Sequence, residues 1–236
     1  MSNILIIESS SPVCSVAIAM EGHIKHIKED FEQNHASLSA FFVEELLQET
    51  GLSIKNIDAI ALSEGPGSYT GLRIGASLAK GLAYGGDIPI ICINTLEAMT
   101  EYIIANKILF HLPNDTDNTL LVPMIDARRM EVYTTFYDIE LNVIRPMHPL
   151  ILDENTFSPF LSDSIIVTFG TGAEKCRDLY KNDRYIFIDA QNMLSARFLL
   201  NTTIRKYKDK DFVDTAYFEP NYLKNFIASI PRNKVL

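Results

Sequence analysis

Apolar and polar positions alternate along this chain in blocks short enough to read one element at a time. Residues 3–9 open with an unbroken apolar run, Ile4 to Ile7, the pattern of a strand covered on both faces. Ser9, Ser10, Ser11 and Pro12 read as a turn, residues 13–20 as a second strand, and Glu21-Gly22 as a tight connection into a third that ends near Phe31. Residues 35–49 carry Leu38, Phe41, Phe42, Val43, Leu46 and Leu47 at helical spacing, and Gly51 is placed to end that helix. A strand over 57–63 leads through a glycine-rich loop into a helix that ends near Gly85-Gly86. A strand over 88–94 follows, and Thr95 caps a helix running to about Lys107.

Three strands in a meander, followed by strand–helix alternation, predict a mixed sheet with helical crossovers. Residues 111–119, polar and proline-containing, form the clearest boundary. Beyond it, residues 120–125, 131–137 and 143–152 read as a second meander. Residues 165–169, a Gly-Thr-Gly turn and a helix to about Lys181 repeat the strand–helix theme. The expected class is therefore α/β, with two related lobes over 1–110 and 111–236 and the final segment packing back on the first. One continuous α/β domain is the alternative.

The segment SEGPGSYTGLRIGASLAKGLAYG, residues 63–85, is the most unusual in the chain. Its loop spaces Gly65, Gly67 and Gly71 as neither a dinucleotide fingerprint nor a Walker loop. Gly65, Gly67, Ser68 and Thr70 are candidates for an anion-binding loop, because a helix N-terminus offers free N–H groups there; a tight turn needing glycine dihedrals is the competing reading. In the helix, Gly71, Gly75, Ala79 and Ala83 recur every four residues and form a stripe of almost no side-chain volume. Glycines inside a helix cost up to about 1 kcal/mol each, so another backbone is expected to approach closely. That backbone belongs either to this chain or to a second subunit. The apolar arc of the 35–49 helix is likewise wider than one buried face requires.

Composition narrows the chemistry. A net charge of −9 over 236 residues, with no dense Lys/Arg cluster, argues against nucleic-acid binding by this chain alone. No apolar run approaches the length of a membrane span or a leader segment. Cys14, Cys92 and Cys176 are odd in number and far apart, which fits a reducing, cytoplasmic compartment. A zinc-binding helix offers His at i and i+4, but His35 is followed by Ser39. His23 and His26, three apart in a strand, are expected on opposite faces. Asp126, Arg128, Arg129 and Glu131 in MIDARRMEVY read as an ion-pair network at a hairpin, and Ser9 to Ser11 as a turn without a nucleophile elbow.

Taken together, SEGPGSYTGLRIGASLAKGLA, MIDARRMEVY, FGTGAEK and EPNYLKN, in that order along nearly the whole chain, resemble the TsaB (YeaZ) family. The resemblance implies the two-lobed actin/Hsp70/sugar-kinase-like fold that this family shares with TsaD, the threonylcarbamoyl transferase. It implies a non-catalytic subunit of the machine that forms threonylcarbamoyladenosine beside the tRNA anticodon. Such a subunit pairs with TsaD, is joined by the ATPase TsaE, meets tRNA through the complex, and holds no cofactor, with ATP and metal on its partners. The catalytic relative carries a metal-binding His pair where this chain has His35 and Ser39. The fold normally places an Asp after its first strand where this chain has Glu8-Ser9-Ser10-Ser11, and family members carry a Gly where Met130 stands. The family pairs through the two helices singled out above, so the resemblance implies an interface of His35, Leu38, Ser39, Phe42, Leu46, Gly71, Ile74, Gly75, Leu78 and Ala79. A homodimer through the same helices is the corresponding expectation for the chain alone. A stand-alone actin-like ATPase and a metal-dependent glycoprotease-like peptidase are the competing functions.

Overall fold

The computed structural model describes residues 2–11, 13–31, 35–113, 118–189 and 194–222, with the side chains of residues 35–37 outside that description. Its architecture is two mixed five-stranded sheets. The first contains β1 (Asn3–Glu8), β2 (Cys14–Met20), β3 (His23–Asp30), β4 (Ala59–Gly65) and β5 (Ile90–Asn94), in the order β3-β2-β1-β4-β5. β1 pairs antiparallel with β2 and parallel with β4, so Ile6 lies between Ala17 and Ala61. Leu5 and Ile7 point into one cluster, beneath α1 (His35–Thr50) and α2 (Tyr69–Gly86). Ile4 and Ile6 point into the opposite one, with Ala17, Ala61, Ile91 and Leu199. Both faces are covered, which is why the run is continuously apolar rather than alternating.

The second sheet repeats that plan. Its strands are β6 (Thr119–Asp126), β7 (Glu131–Tyr137), β8 (Val143–Ile151), β9 (Ile165–Phe169) and β10 (Tyr185–Phe187), ordered β8-β7-β6-β9-β10. The first three are antiparallel and the last two join in parallel, as in the first sheet. α3 (Thr95–Ala105) lies between the sheets. Leu96, Met99 and Ile103 pack with Leu121, Val167 and Phe169, while Ala98 joins the first sheet's Ile91 and Ile93. α4 (Leu200–Asp209) returns to the first sheet, tied to α3 by Arg205 on Glu97 and Glu101. The chain then bridges Val213 to Ile90 and buries Phe218 in the α1–α2 core.

Several expectations are corrected. The helix predicted after Gly170-Thr171-Gly172 is a single 3-10 turn, Ala173–Cys176, because the chain turns away to lay Tyr180 against Phe157 and Tyr185. Asn94, not Thr95, caps α3, its side chain accepting from Leu96 N and Glu97 N at 2.9 and 3.2 Å. α2, by contrast, ends at Gly86 as expected, with Asp87 in the left-handed region as its C-cap. A bulge in β3 shifts the register against β2 between Ile18 and Ala19, so Ile24 and Ile27, three apart, pack on the same cluster. The odd-spacing argument for His23 and His26 fails for that reason.

Candidate functional site

The glycine-rich loop and the small-residue stripe are both occupied by this chain itself. Ser68 caps α2, its hydroxyl accepting from Gly71 N at 3.3 Å, and the Ser68 N–H donates to Ser10 O at 2.6 Å. A side chain at Gly67 would sit 2.4 Å from Ser10 O, one at Gly71 2.0 Å from Ser9 O, and one at Gly75 2.2 Å from Ser9 Oγ. Ala79 is fully buried in the core below. The backbone whose approach the stripe permits is therefore the turn that follows β1. Gly71, Gly75 and Ala79 face inward and are corrected from subunit contacts to internal packing. The loop is corrected as well. Two of the N–H groups an anion would need, on Ser68 and Gly71, are already bonded, and Gly65 (φ +111) sits against Asn221 O.

The turn so covered is itself closed. Ser9, Ser10 and Ser11 are buried, Glu8 is wholly inaccessible, and Glu8 Oε1 accepts from Ser10 N at 2.5 Å. The Ser11 hydroxyl accepts from Val13 N at 3.0 Å. The three cysteines are free and buried, and burial pushes each thiol up, Cys176 to about 11. Among the described residues no three His, Cys, Asp or Glu side chains converge on a metal position.

α1 divides its apolar arc between core and surface. Val43 and Leu46 are buried beside Leu5, and Phe42 and Leu47 pack against the same cluster. Leu46 is thereby corrected from a contact residue to core. Ser39 is buried with its hydroxyl 3.2 Å from Cys14 Sγ, and the side chain of His35 lies outside the described residues. What faces outward is a groove of about 340 Å³ between the two helices, lined by Ser39, Ala40, Arg73, Ile74, Ser77 and Leu78. Leu38 is half-buried nearby and Phe41 is 50% exposed. Of the ten expected contact residues, Leu38 and Ile74 combine an apolar side chain with partial exposure on this pair of helices, and Phe42 and Leu78 are partly exposed while also packing on the core beneath. Ala40, Arg73 and Ser77 were missed. They sit one helical position from the apolar residues, and a search for apolar periodicity passes over them.

Two further motifs meet elsewhere. Lys175 of FGTGAEK reaches Asp126 Oδ1 at 2.8 Å, and Thr171 Oγ1 accepts from Asp126 N at 3.1 Å, so the β9 turn braces the β6–β7 hairpin. Arg128 and Arg129 adopt left-handed conformations and point to solvent at that hairpin, where Arg128 N donates to Asp126 Oδ1 at 2.6 Å. At the far end of the chain, Asn221 N donates to Glu64 O at 2.7 Å and the Tyr222 ring lies 4.9 Å from Tyr69.

Two mixed sheets in one strand order, a closed first turn and an outward helix-pair groove define a protein of the actin-like two-sheet class. The YeaZ protein of Pseudomonas aeruginosa superposes with a TM-score of 0.76 at 25% identity, covering 94% of this chain and all of that one. The family model for TsaD, tRNA N6-adenosine threonylcarbamoyltransferase, matches residues 27–153. The tRNA threonylcarbamoyladenosine biosynthesis protein TsaB of Haemophilus influenzae is 32% identical over 95% of this chain and 94% of its own. The Escherichia coli TsaB is 30% identical over 95% and 96%. The chain belongs to the TsaB family of tRNA threonylcarbamoyladenosine biosynthesis proteins.

Proposed function

We propose that this chain is a non-catalytic, cytoplasmic subunit that pairs with the transferase TsaD through the outer face of α1 and α2. The observation that carries the reading is the groove lined by Ile74 and Leu78, flanked by partly exposed Leu38 and Phe41. An apolar groove beside half-exposed aliphatic and aromatic side chains is the material from which the core of a subunit interface is made. An interface of standard size buries about 800 Å² on each partner, more than the groove alone supplies, so the flanking helix surface belongs to it. The stripe of glycines contributes indirectly: by seating α2 hard on the Ser9 turn it fixes the angle at which Ile74 and Leu78 are presented.

The non-catalytic part of the reading is supported by the closed first turn. Kinase- and actin-like relatives of this fold meet a phosphate at the corresponding turn, whereas here the N–H of Ser68, the cap of α2, is bonded to Ser10 O and the loop backbone at Gly67 lies against Ser10. ATP and metal then belong to TsaD and TsaE, and the charge of −9 leaves tRNA contact to the assembled complex.

The experiment is threonylcarbamoyladenosine formation on tRNA with TsaD, TsaE, threonylcarbamoyl-adenylate and ATP, with this chain present or omitted. Product confined to the complete mixture is expected. Product at the same rate without the chain overturns the subunit reading.

A further inference from the structure

The lining of the α1–α2 groove carries a single charge, and it is positive. Arg73 supplies it, among neighbours that are otherwise apolar or hydroxylic. Arg177, Arg197 and Arg205 each meet a carboxylate of this chain, but among the described residues no acid pairs with Arg73. What holds Arg73 is an aromatic stack. Its guanidinium lies 4.6 Å from the centre of the Tyr69 ring, one turn earlier on α2. The Tyr222 ring lies 4.9 Å from the same ring, brought there as Asn221 N donates to Glu64 O at 2.7 Å. A ring contact steadies the guanidinium without consuming its N–H donors. Arg73 is exposed, so those donors are open to whatever enters the groove. In a chain of net charge −9, this local cation singles out an acidic group.

We infer that the element seated in this groove is a helix of the partner bearing a carboxylate, and that the carboxylate docks on Arg73. The inference rests on the pairing reading above and adds the chemistry by which the partner is selected. Ile74 and Leu78 lie one and five positions beyond Arg73, so the groove extends about 8 Å along α2 from its charged end. A helix laid along α2 therefore carries its acid about one turn from the apolar side chains that meet Ile74 and Leu78. Guanidinium and carboxylate join through two parallel N–H···O bonds, so the pair fixes the register of that helix as well as adding affinity. Tyr69 is a positioning residue in this arrangement, acting only through the guanidinium that it steadies.

The test measures the affinity of TsaD for the full chain and for Arg73→Gln, Arg73→Glu and Arg73→Lys. Arg73 is exposed, so each variant should keep the melting temperature of the parent. Loss of a charge-assisted pair predicts binding weaker by about tenfold or more in Arg73→Gln. Arg73→Glu should be weaker by about tenfold again, because it sets two carboxylates face to face, and Arg73→Lys should fall between the parent and Arg73→Gln. Tyr69→Leu should weaken binding by about threefold in the parent and leave Arg73→Gln unchanged. A merely structural ring would weaken both equally, and that result overturns the positioning role. If the parent binds and Arg73→Gln binds as tightly, this inference falls while the pairing reading stands; weakened self-association in the same variant would then make a second copy the occupant. Equal losses in Arg73→Gln and Arg73→Glu also overturn it, because a neutral acceptor is then what Arg73 meets. A parent chain that does not bind TsaD overturns the pairing reading, and this inference with it.

Discussion

The two sheets share one strand order and fill their cores in opposite ways. The first packs aliphatic strands under long helices, α1 and α2, and gains contact by removing side chains: Gly67, Gly71 and Gly75 let the loop and helix sit on the Ser9–Ser10 backbone. The second replaces its crossover helices with turns and one 3-10 segment, and fills the space with Phe136, Phe157, Phe160, Tyr180 and Tyr185. One topology thus yields a half with two helices displayed side by side and, among the described residues, a half with none to display. The docking face proposed above lies on the first.

The largest effect expected from breaking this contrast is in the aromatic half. Phe136→Ala should cost about 3–5 kcal/mol in urea unfolding, since Phe136 is fully buried among three rings. In the glycine-packed half, one methyl group should suffice. Gly71→Ala places a carbon 2.0 Å from Ser9 O and should cost about 3 kcal/mol. Gly81→Ala, on the same helix with nothing within 4 Å, should instead stabilise by about 0.5–1 kcal/mol. Stabilisation by both substitutions would break the account of the stripe. Asp126→Asn should cost only about 0.5–1 kcal/mol, because Asp126 is 48% exposed and its pair with Lys175 is partly screened.

The smallest effect is a change of slope with pH. Burial raises the Glu64 carboxyl above its ordinary 4.5, so the folded chain holds a proton that the unfolded chain has released. Its contribution is fully present below pH 4.5 and is lost as pH rises through the folded value, which makes stability fall over that window. Glu64→Gln should flatten that part of the stability curve, and an unchanged slope would show that Glu64 is solvated.

Much of this architecture was legible because burial writes itself into pattern. β1 is covered on both faces and reads as a solid apolar run, and β7 and β9 emerge at the predicted residues, 131–137 and 165–169. α4 was not, because it lays only Leu200 and Tyr207 on the first sheet's core cluster and is largely polar. β10, three residues long, carries no period to detect. The stripe on α2 was visible as a stripe, but spacing names a helix face without naming its neighbour. Only the position of Ser9 shows that the neighbour is internal. Leu46 failed for the same reason, while Ile74 and Leu78 line the groove, Leu78 with one side on the core.

The most direct measurement is the affinity of TsaD for this chain and for its Ile74→Asp, Leu78→Asp double variant. Both side chains are partly exposed and Leu78 also touches the core, so the variant should stay folded with a melting temperature lowered by a few degrees, which thermal unfolding checks alongside. Burying two charges at the centre of an interface should weaken pairing by about a hundredfold or more. Loss of binding in a folded variant is the predicted result. Full affinity in that variant would contradict the account and move the docking face away from α1 and α2.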